Sequence, residues 1–360
     1  MRPCKLGGEL VAGGRLTACV AVGLLAAMSP DSQQDFAFAF LSILFEGAPF
    51  ILLGTLISGV IDIYLPAGTM ERFLPRNKFL AVVMAGLMGA VFPVCECAVV
   101  PVIRRLVKKG LPVSCALTYM LAAPIVNPIT ALSTWKAFQG QGAEMMTSSR
   151  LLLGFLISVG VGLVVLKLPL NWVLKPKLVA SLEHDEADAP ALLGHASHHH
   201  SACCGHDHDP DCDHPHHHAN SGGRMIAAMR SAMKDFVDVA VYFAIGVSIT
   251  ALFNTGIAPG AQWLDGLAQN PTAAPAALMA LAFVLSLCST SDAFIAATLA
   301  KFSWGAKLAF LTFGPMMDVK LIFLYQTVLR KRFIAGLAIG LFVAIGAISI
   351  YWQHLLLQAR

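Results

Sequence analysis

Long apolar runs separated by short polar turns dominate the chain from residue 36 onward. Their spacing predicts helices at about 36–63, 79–103, 112–136, 150–168, 235–257, 274–300, 305–329 and 333–353. At 19–28 residues, each run is long enough to cross a bilayer with some tilt. Several contain proline: Pro49, Pro93, Pro101, Pro124, Pro128 and Pro315. In lipid, backbone groups freed by a broken helix must meet protein or a wet cavity, so these positions mark the expected pathway. One polar, turn-rich stretch, 169–234, interrupts the pattern and divides it into a first membrane half at 36–168 and a second at 235–360.

Composition agrees with this reading. Of 360 residues, 57% are hydrophobic and 13% are charged, against roughly 25% charged in an ordinary soluble domain. Mean hydropathy is +0.70. A soluble enzyme or a nucleic-acid-binding protein needs more charge than this to coat its surface. The expected fold is all-α: a polytopic integral membrane protein of about eight transmembrane helices, in two related four-helix halves with broken helices. A formal charge of +4 is too small to imply an anionic partner. Residues 1–35 begin with Arg2, Lys5 and Arg15 and carry an apolar run from Leu16 to Met28. That run is short for a span and suits a signal-like segment, an upstream start or a short extra helix.

The halves resemble each other. Pro124 follows Cys95 by 29 residues and Pro315 follows Cys288 by 27; Asn127 and Asp318 lie three residues past the prolines. Lys108 and Lys109 in the first turn have Lys301 and Lys307 as their counterparts. Duplication around broken helices is a transporter signature, with the site near the repeat interface. Four spans per half make the repeats parallel, whereas a re-entrant hairpin at "FPVCEC" makes them inverted. Orientation follows from Lys and Arg. Arg104, Arg105, Lys108, Lys109, Lys175, Lys177, Arg224, Arg230 and Lys234 are expected on one side. Arg72, Arg76, Lys78, Arg150, Arg330, Lys331 and Arg332 are expected on the other. The richer side is expected to be cytoplasmic.

Three constellations carry candidate chemistry. In "FPVCECAVVP", Cys95, Glu96 and Cys97 stand between Pro93 and Pro101. A regular helix turns about 100° per residue and points the two thiols apart; an unwound stretch puts positions two apart on one face. Non-helical backbone is therefore expected here. Thiolates suit soft ions such as Cu(I) and Zn(II). In "CSTSDAF" and "GPMMD", Cys288, Asp292 and Asp318 are further candidate ligands, with Lys320 a possible ion-pair partner of Asp318. Met316 and Met317 read as packing before thioether ligands. Asn127, between Pro124 and Pro128, either satisfies broken backbone or contacts substrate.

The third constellation is the central segment, where 11 of the 12 His fall between His184 and His218. His198, His199, His200, Cys203, Cys204, His206, His208, Cys212, His214, His216, His217 and His218 form a dense set of imidazole and thiol donors without the fixed spacing of a folded zinc site. A loose collector of metal ions fits that composition. A solvated linker is the plainer account.

With "CECAVVPVIRRL", "AAPIVNP" and "STSDAFIAATLA…GPMMDVK", the chain resembles the ArsP-type permease family over about 36–170 and 230–350. Within it, the chain is most similar to a branch described as copper/zinc efflux transporters with a His-rich central loop. The resemblance implies efflux of a thiophilic metal, with Cys95, Glu96, Cys97, Cys288 and Asp292 as matching candidates. The expectation is a bacterial inner-membrane permease, not an enzyme, exporting Cu or Zn as substrate and holding no prosthetic group. No GxxxxGK[ST] motif is present, so ion-coupled secondary transport is expected. Its expected partners are metal ions, the lipid bilayer and cytoplasmic metal chaperones, with no nucleic acid. Export of trivalent (methyl)arsenite is the alternative within the class. Outside it stand a dithiol redox protein, though C-x-C is not C-x-x-C, and a metal sensor.

Overall fold

All eight apolar runs fold as helices, and four of them do so in two pieces. The structure is a computed structural model, in which residues 30–64, 74–91, 95–176, 221–257, 270 and 272–358 are described. The elements are α1 (Pro30–Tyr64), α2 (Lys78–Val91), α3 (Glu96–Lys108), α4 (Val113–Ala122), α5 (Pro128–Ala137), α6 (Ala143–Val165), α7 (Leu170–Val173), α8 (Ser221–Ile257), α9 (Ala273–Leu285), α10 (Ser291–Thr298), α11 (Trp304–Met316), α12 (Val319–Tyr325) and α13 (Lys331–Gln358). Each half therefore reads long helix, broken pair, broken pair, long helix. The His-rich donors of 184–218, most of residues 1–35, Arg72 and Pro93 lie outside the described residues.

Neighbour contacts give the direction of each helix. Leu74 and Val82 share an apolar cluster with Cys115 and Leu166, while Gly89 lies against Ala123. Helix α2 thus runs parallel to α4. A tight turn at Gly110, with φ at 95°, returns α3 into α4, so α3 runs the other way. The chain thus enters with α2 and returns with α3 to the side it came from. In the second half Ala282 packs at Gly314, Met279 at Gly346 and Ser349 at Gly305. These contacts make α9 parallel to α11 and α10 a return to its starting side.

The two halves are inverted. Leu174, past the end of α6, pairs with Leu329 past the end of α12, and Ser149 near the start of α6 meets Trp352 near the end of α13. Helix pair α4–α5 therefore crosses in one direction and α11–α12 in the other. Among the described residues five helical stretches are long and apolar enough to span: Gln33–Ile61, Ala143–Val165, Ala228–Leu252, Trp304–Tyr325 and Lys331–Gln353. The end-to-end pair α4–α5 makes a sixth crossing, and the α2–α3 and α9–α10 hairpins enter from opposite sides. The α2–α3 hairpin joins helices of 14 and 13 residues and the α9–α10 hairpin helices of 13 and 8, each pair close in sequence length to one tilted span, so both are legible only as apolar runs.

This topology moves several basic residues. Arg76, Lys78, Arg330, Lys331 and Arg332 belong to the same side as Arg104, Arg105, Lys108, Lys109 and Lys175, not opposite it. Arg150 is in no loop; it is 1% exposed inside the protein. Among the described residues the other side holds an exposed Lys136, an exposed Lys301 and a buried Lys307. The bias expected from the sequence is steeper than the sequence count made it.

Prolines also divide differently from expectation. Pro49 and Pro101 sit inside continuous helices, with no break at either. The carbonyl of Pro101 accepts Ser58 Oγ at 3.2 Å, as a buried helix in lipid requires of its neighbours. The breaks that do form, after Pro124 and Pro315, are capped alike. Asn127 Oδ1 accepts Thr130 N at 2.8 Å to start α5, and Asp318 Oδ1 accepts Leu321 N at 2.6 Å to start α12. Asn127 also donates Nδ2 to Ala123 O at 2.8 Å, bridging the break. Asn127→Ala removes both bonds where water cannot replace them. A loss of about 1–2 kcal/mol is expected, read as a lower thermal midpoint of the detergent-solubilised protein.

Candidate functional site

The hairpins meet tip to tip in the middle of the protein. Ser289, in the second tip, donates Oγ to Glu96 Oε2 of the first at 3.4 Å. Cys95 is extended (φ −71°, ψ 163°) and precedes α3, whereas Glu96 and Cys97 already belong to the helix. The non-helical backbone expected across Cys95–Cys97 is, among the described residues, confined to Cys95, because α3 already begins at Glu96. Helix α3 can start there because Cys95 O accepts both Ala98 N and Val99 N, at 3.1 and 3.2 Å.

Cys95, Glu96, Cys97 and Cys288 line one cavity with Glu46 and Lys320. Its volume is about 10 Å³, room for about one water-sized sphere. Cys97 and Glu96 are 3% and 2% exposed, whereas Glu46 and Phe50 on the same lining are exposed, so both hairpins supply sulfur to a small, partly open space. Thr290 donates Oγ1 to Cys288 Sγ at 3.5 Å. Among the described residues, no group of three His, Cys, Asp or Glu stands close enough to hold a metal ion as the side chains lie. The donors line the cavity without being drawn into a coordination shell.

Lys320 fills that place instead. Its Nζ lies 3.4 Å from Glu96 Oε1 and 3.6 Å from Asp318 Oδ2, the second an ion contact beyond hydrogen-bond reach, and donates to Ser286 O at 2.9 Å. Ser286 is the one non-glycine residue with positive φ, 48°, among those described. The left-handed turn ends α9 and aims its carbonyl at the ammonium; such strain costs roughly 1–3 kcal/mol and persists only where neighbours hold it. Its Oγ donates to Phe283 O at 3.1 Å and accepts from Thr250 Oγ1 at 3.3 Å, which provides that hold.

Asp292 is close in sequence to this cavity but does not line it. Both its oxygens accept Arg150 Nη2, at 3.0 and 2.8 Å. Arg150 also donates to Thr134 Oγ1 at 2.7 Å and Ser289 O at 3.0 Å. The pair fastens the second tip to α5 and α6 of the first half. Asp318 likewise serves as a cap and an ion-pair partner. Met316 and Met317 are fully buried in the main apolar core.

Three residues escaped the sequence reading. Arg150, expected in a loop, is buried in α6, and the sequence feature that points there is a lone Arg beside "LLLGFLIS". Glu46 is one of two acids in the apolar run 36–63, with no partner evident along the chain; it accepts Ser291 Oγ at 3.0 Å. Ser286 has no signal at all, because its conformation depends on Thr250 and Lys320.

The matching family is the ArsP-type family described as predicted permease, and it covers residues 34–353. The chain belongs to this permease family. The permease is 35% identical over 300 residues to the UPF0718 protein YcgR of Bacillus subtilis, which covers 82% of this chain and 89% of the relative. It is 29% identical over 306 residues to a Streptococcus mutans protein provisionally named a two-component membrane permease complex subunit, covering 85% and 90%. No solved structure matches the permease. It is a multi-pass membrane protein, and the matched region contains both hairpins, both capped breaks and the cavity.

Proposed function

We propose that this permease exports thiophilic transition-metal ions, Cu or Zn, from the cytoplasm by ion-coupled secondary transport. The observation that carries the reading is the convergence of Cys95, Cys97 and Cys288 from two inverted hairpins on one small cavity with Glu96. Soft sulfur donors select soft ions, and the repeat interface is where inverted-repeat transporters bind their cargo. Asp292 and Asp318 hold the surrounding breaks in shape, and Lys320 occupies Glu96 until a cation displaces it. The strongly basic side faces the cytoplasm of the bacterial inner membrane. That places the His-rich segment, including His198–His200, Cys203, Cys204 and Cys212, where it collects ions before release to the tips. Metal chaperones are cytoplasmic donors to that segment, and the name of the Streptococcus mutans relative supports a membrane partner.

A second reading, export of trivalent (methyl)arsenite, is favoured by one feature: the cavity offers three thiols and no imidazole. Elemental analysis of cells separates the two. Cells expressing the intact protein are expected to hold less zinc or copper than cells carrying Cys95→Ser with Cys97→Ser at equal membrane levels. Lower arsenic alone selects the second reading, and equal content for all three elements refutes export. Deleting 184–218 is expected to weaken efflux at low external metal and to leave it near normal at high metal, measured as initial rates of loss.

A further inference from the structure

Far from the hairpin tips, an open groove of about 800 Å³ runs between α6 and α13 on the membrane-facing surface. Its walls are apolar, including Leu156, Val164 and Leu341. Its floor is bare: a Cβ built on Gly160, Gly336 or Gly340 meets nothing within 4 Å. At one end stand Arg330, Arg332 and Trp172, the last 70% exposed, and no carboxylate is among the lining residues. Arg330 donates Nε to Leu174 O at 3.1 Å, which fixes the guanidinium at the mouth.

We infer that this groove is a binding site for one anionic phospholipid of the leaflet on the basic side. Two guanidiniums and no acid make the mouth complementary to a phosphate-bearing headgroup, and Trp172 stands where indoles sit at membrane interfaces. From Val165 to Leu156 the groove follows ten residues of α6, about 15 Å. Half of a hydrocarbon core is about 15 Å. An acyl chain of a single leaflet thus fits from mouth to midplane. Basic pockets between spanning helices on that side recognise anionic headgroups. Among the described residues no carboxylate lines this groove, and a lipid phosphate supplies the charge opposite to both arginines. The inference does not rest on the transport reading.

Native mass spectrometry of the purified full-length protein tests it, with phosphatidylglycerol and phosphatidylcholine offered separately. The intact protein is expected to retain one phosphatidylglycerol per chain in preference to phosphatidylcholine. Arg332→Glu, at an exposed position, is expected to weaken retention by at least about fivefold, the effect of one interfacial charge. Gly336→Leu with Gly340→Leu fills the floor and is expected to abolish retention while both arginines remain. Equal retention of the two lipids overturns the inference, as does phosphatidylglycerol retention unchanged in both variants. A dimer that becomes monomeric in the Gly variant, with no lipid bound, also overturns it and makes the groove an interface between copies.

Discussion

Lys320→Met is expected to destabilise the protein by about 3–5 kcal/mol, the usual result of leaving a buried charge unpaired, and to abolish transport. The lysine is 4% exposed and faces Glu96, Asp318 and the strained Ser286 carbonyl. Without the ammonium, two buried carboxylates lose their shared counter-charge, and Ser286 O loses its donor. Methionine preserves the length of the side chain, so the loss reads as charge and not as a void. Adding Glu96→Gln to Lys320→Met is expected to restore part of the stability, because one of the two stranded charges is neutralised. Thermal unfolding in detergent measures both variants. A Lys320→Met midpoint equal to that of the intact protein refutes the ion-pair account.

The second large effect belongs to the Arg150–Asp292 pair. The guanidinium is 1% exposed and the carboxylate accepts it through both oxygens, so either Arg150→Met or Asp292→Asn strands a partner. A cost of about 3–5 kcal/mol is expected for Arg150→Met, which leaves a bare carboxylate. The double variant is expected to cost clearly less than the sum of the singles, since neither group is then left charged and alone. Strict additivity in a double-mutant cycle of thermal stability refutes direct coupling. The same pair ties the second hairpin tip to the first half, so Asp292→Asn is also expected to slow transport in folded protein, although Asp292 does not line the cavity.

The roles of Asp292 and Asp318 show how far sequence reasoning reaches at a membrane site. An acid in an apolar run is costly to bury, and the structure sets Asp292 and Asp318 each against a buried cation, Arg150 and Lys320. Their chemistry depended on partners 142 residues away for Asp292 and, for Asp318, on a helix start and Lys320. Asn127 and Asp318 were matched by their spacing from proline, and the structure shows why the spacing works: each caps the second piece of a broken helix.

Apolar runs, the two-half plan, the proline-linked breaks and the thiol motif were all present in the order of the residues. Hydrophobicity and backbone restriction are properties a residue carries with it, so a run too apolar for water declares its solvent before it folds. The inversion of the halves, the two hairpins and the side assigned to Arg76, Lys78 and Arg330–Arg332 were decided only in three dimensions. A helix pair that turns back inside the bilayer has the length and polarity of one that crosses it. The pairing of Arg150 with Asp292, and of Lys320 with Glu96, was likewise tertiary, because a buried charge chooses its counter-charge by proximity in space and not along the chain.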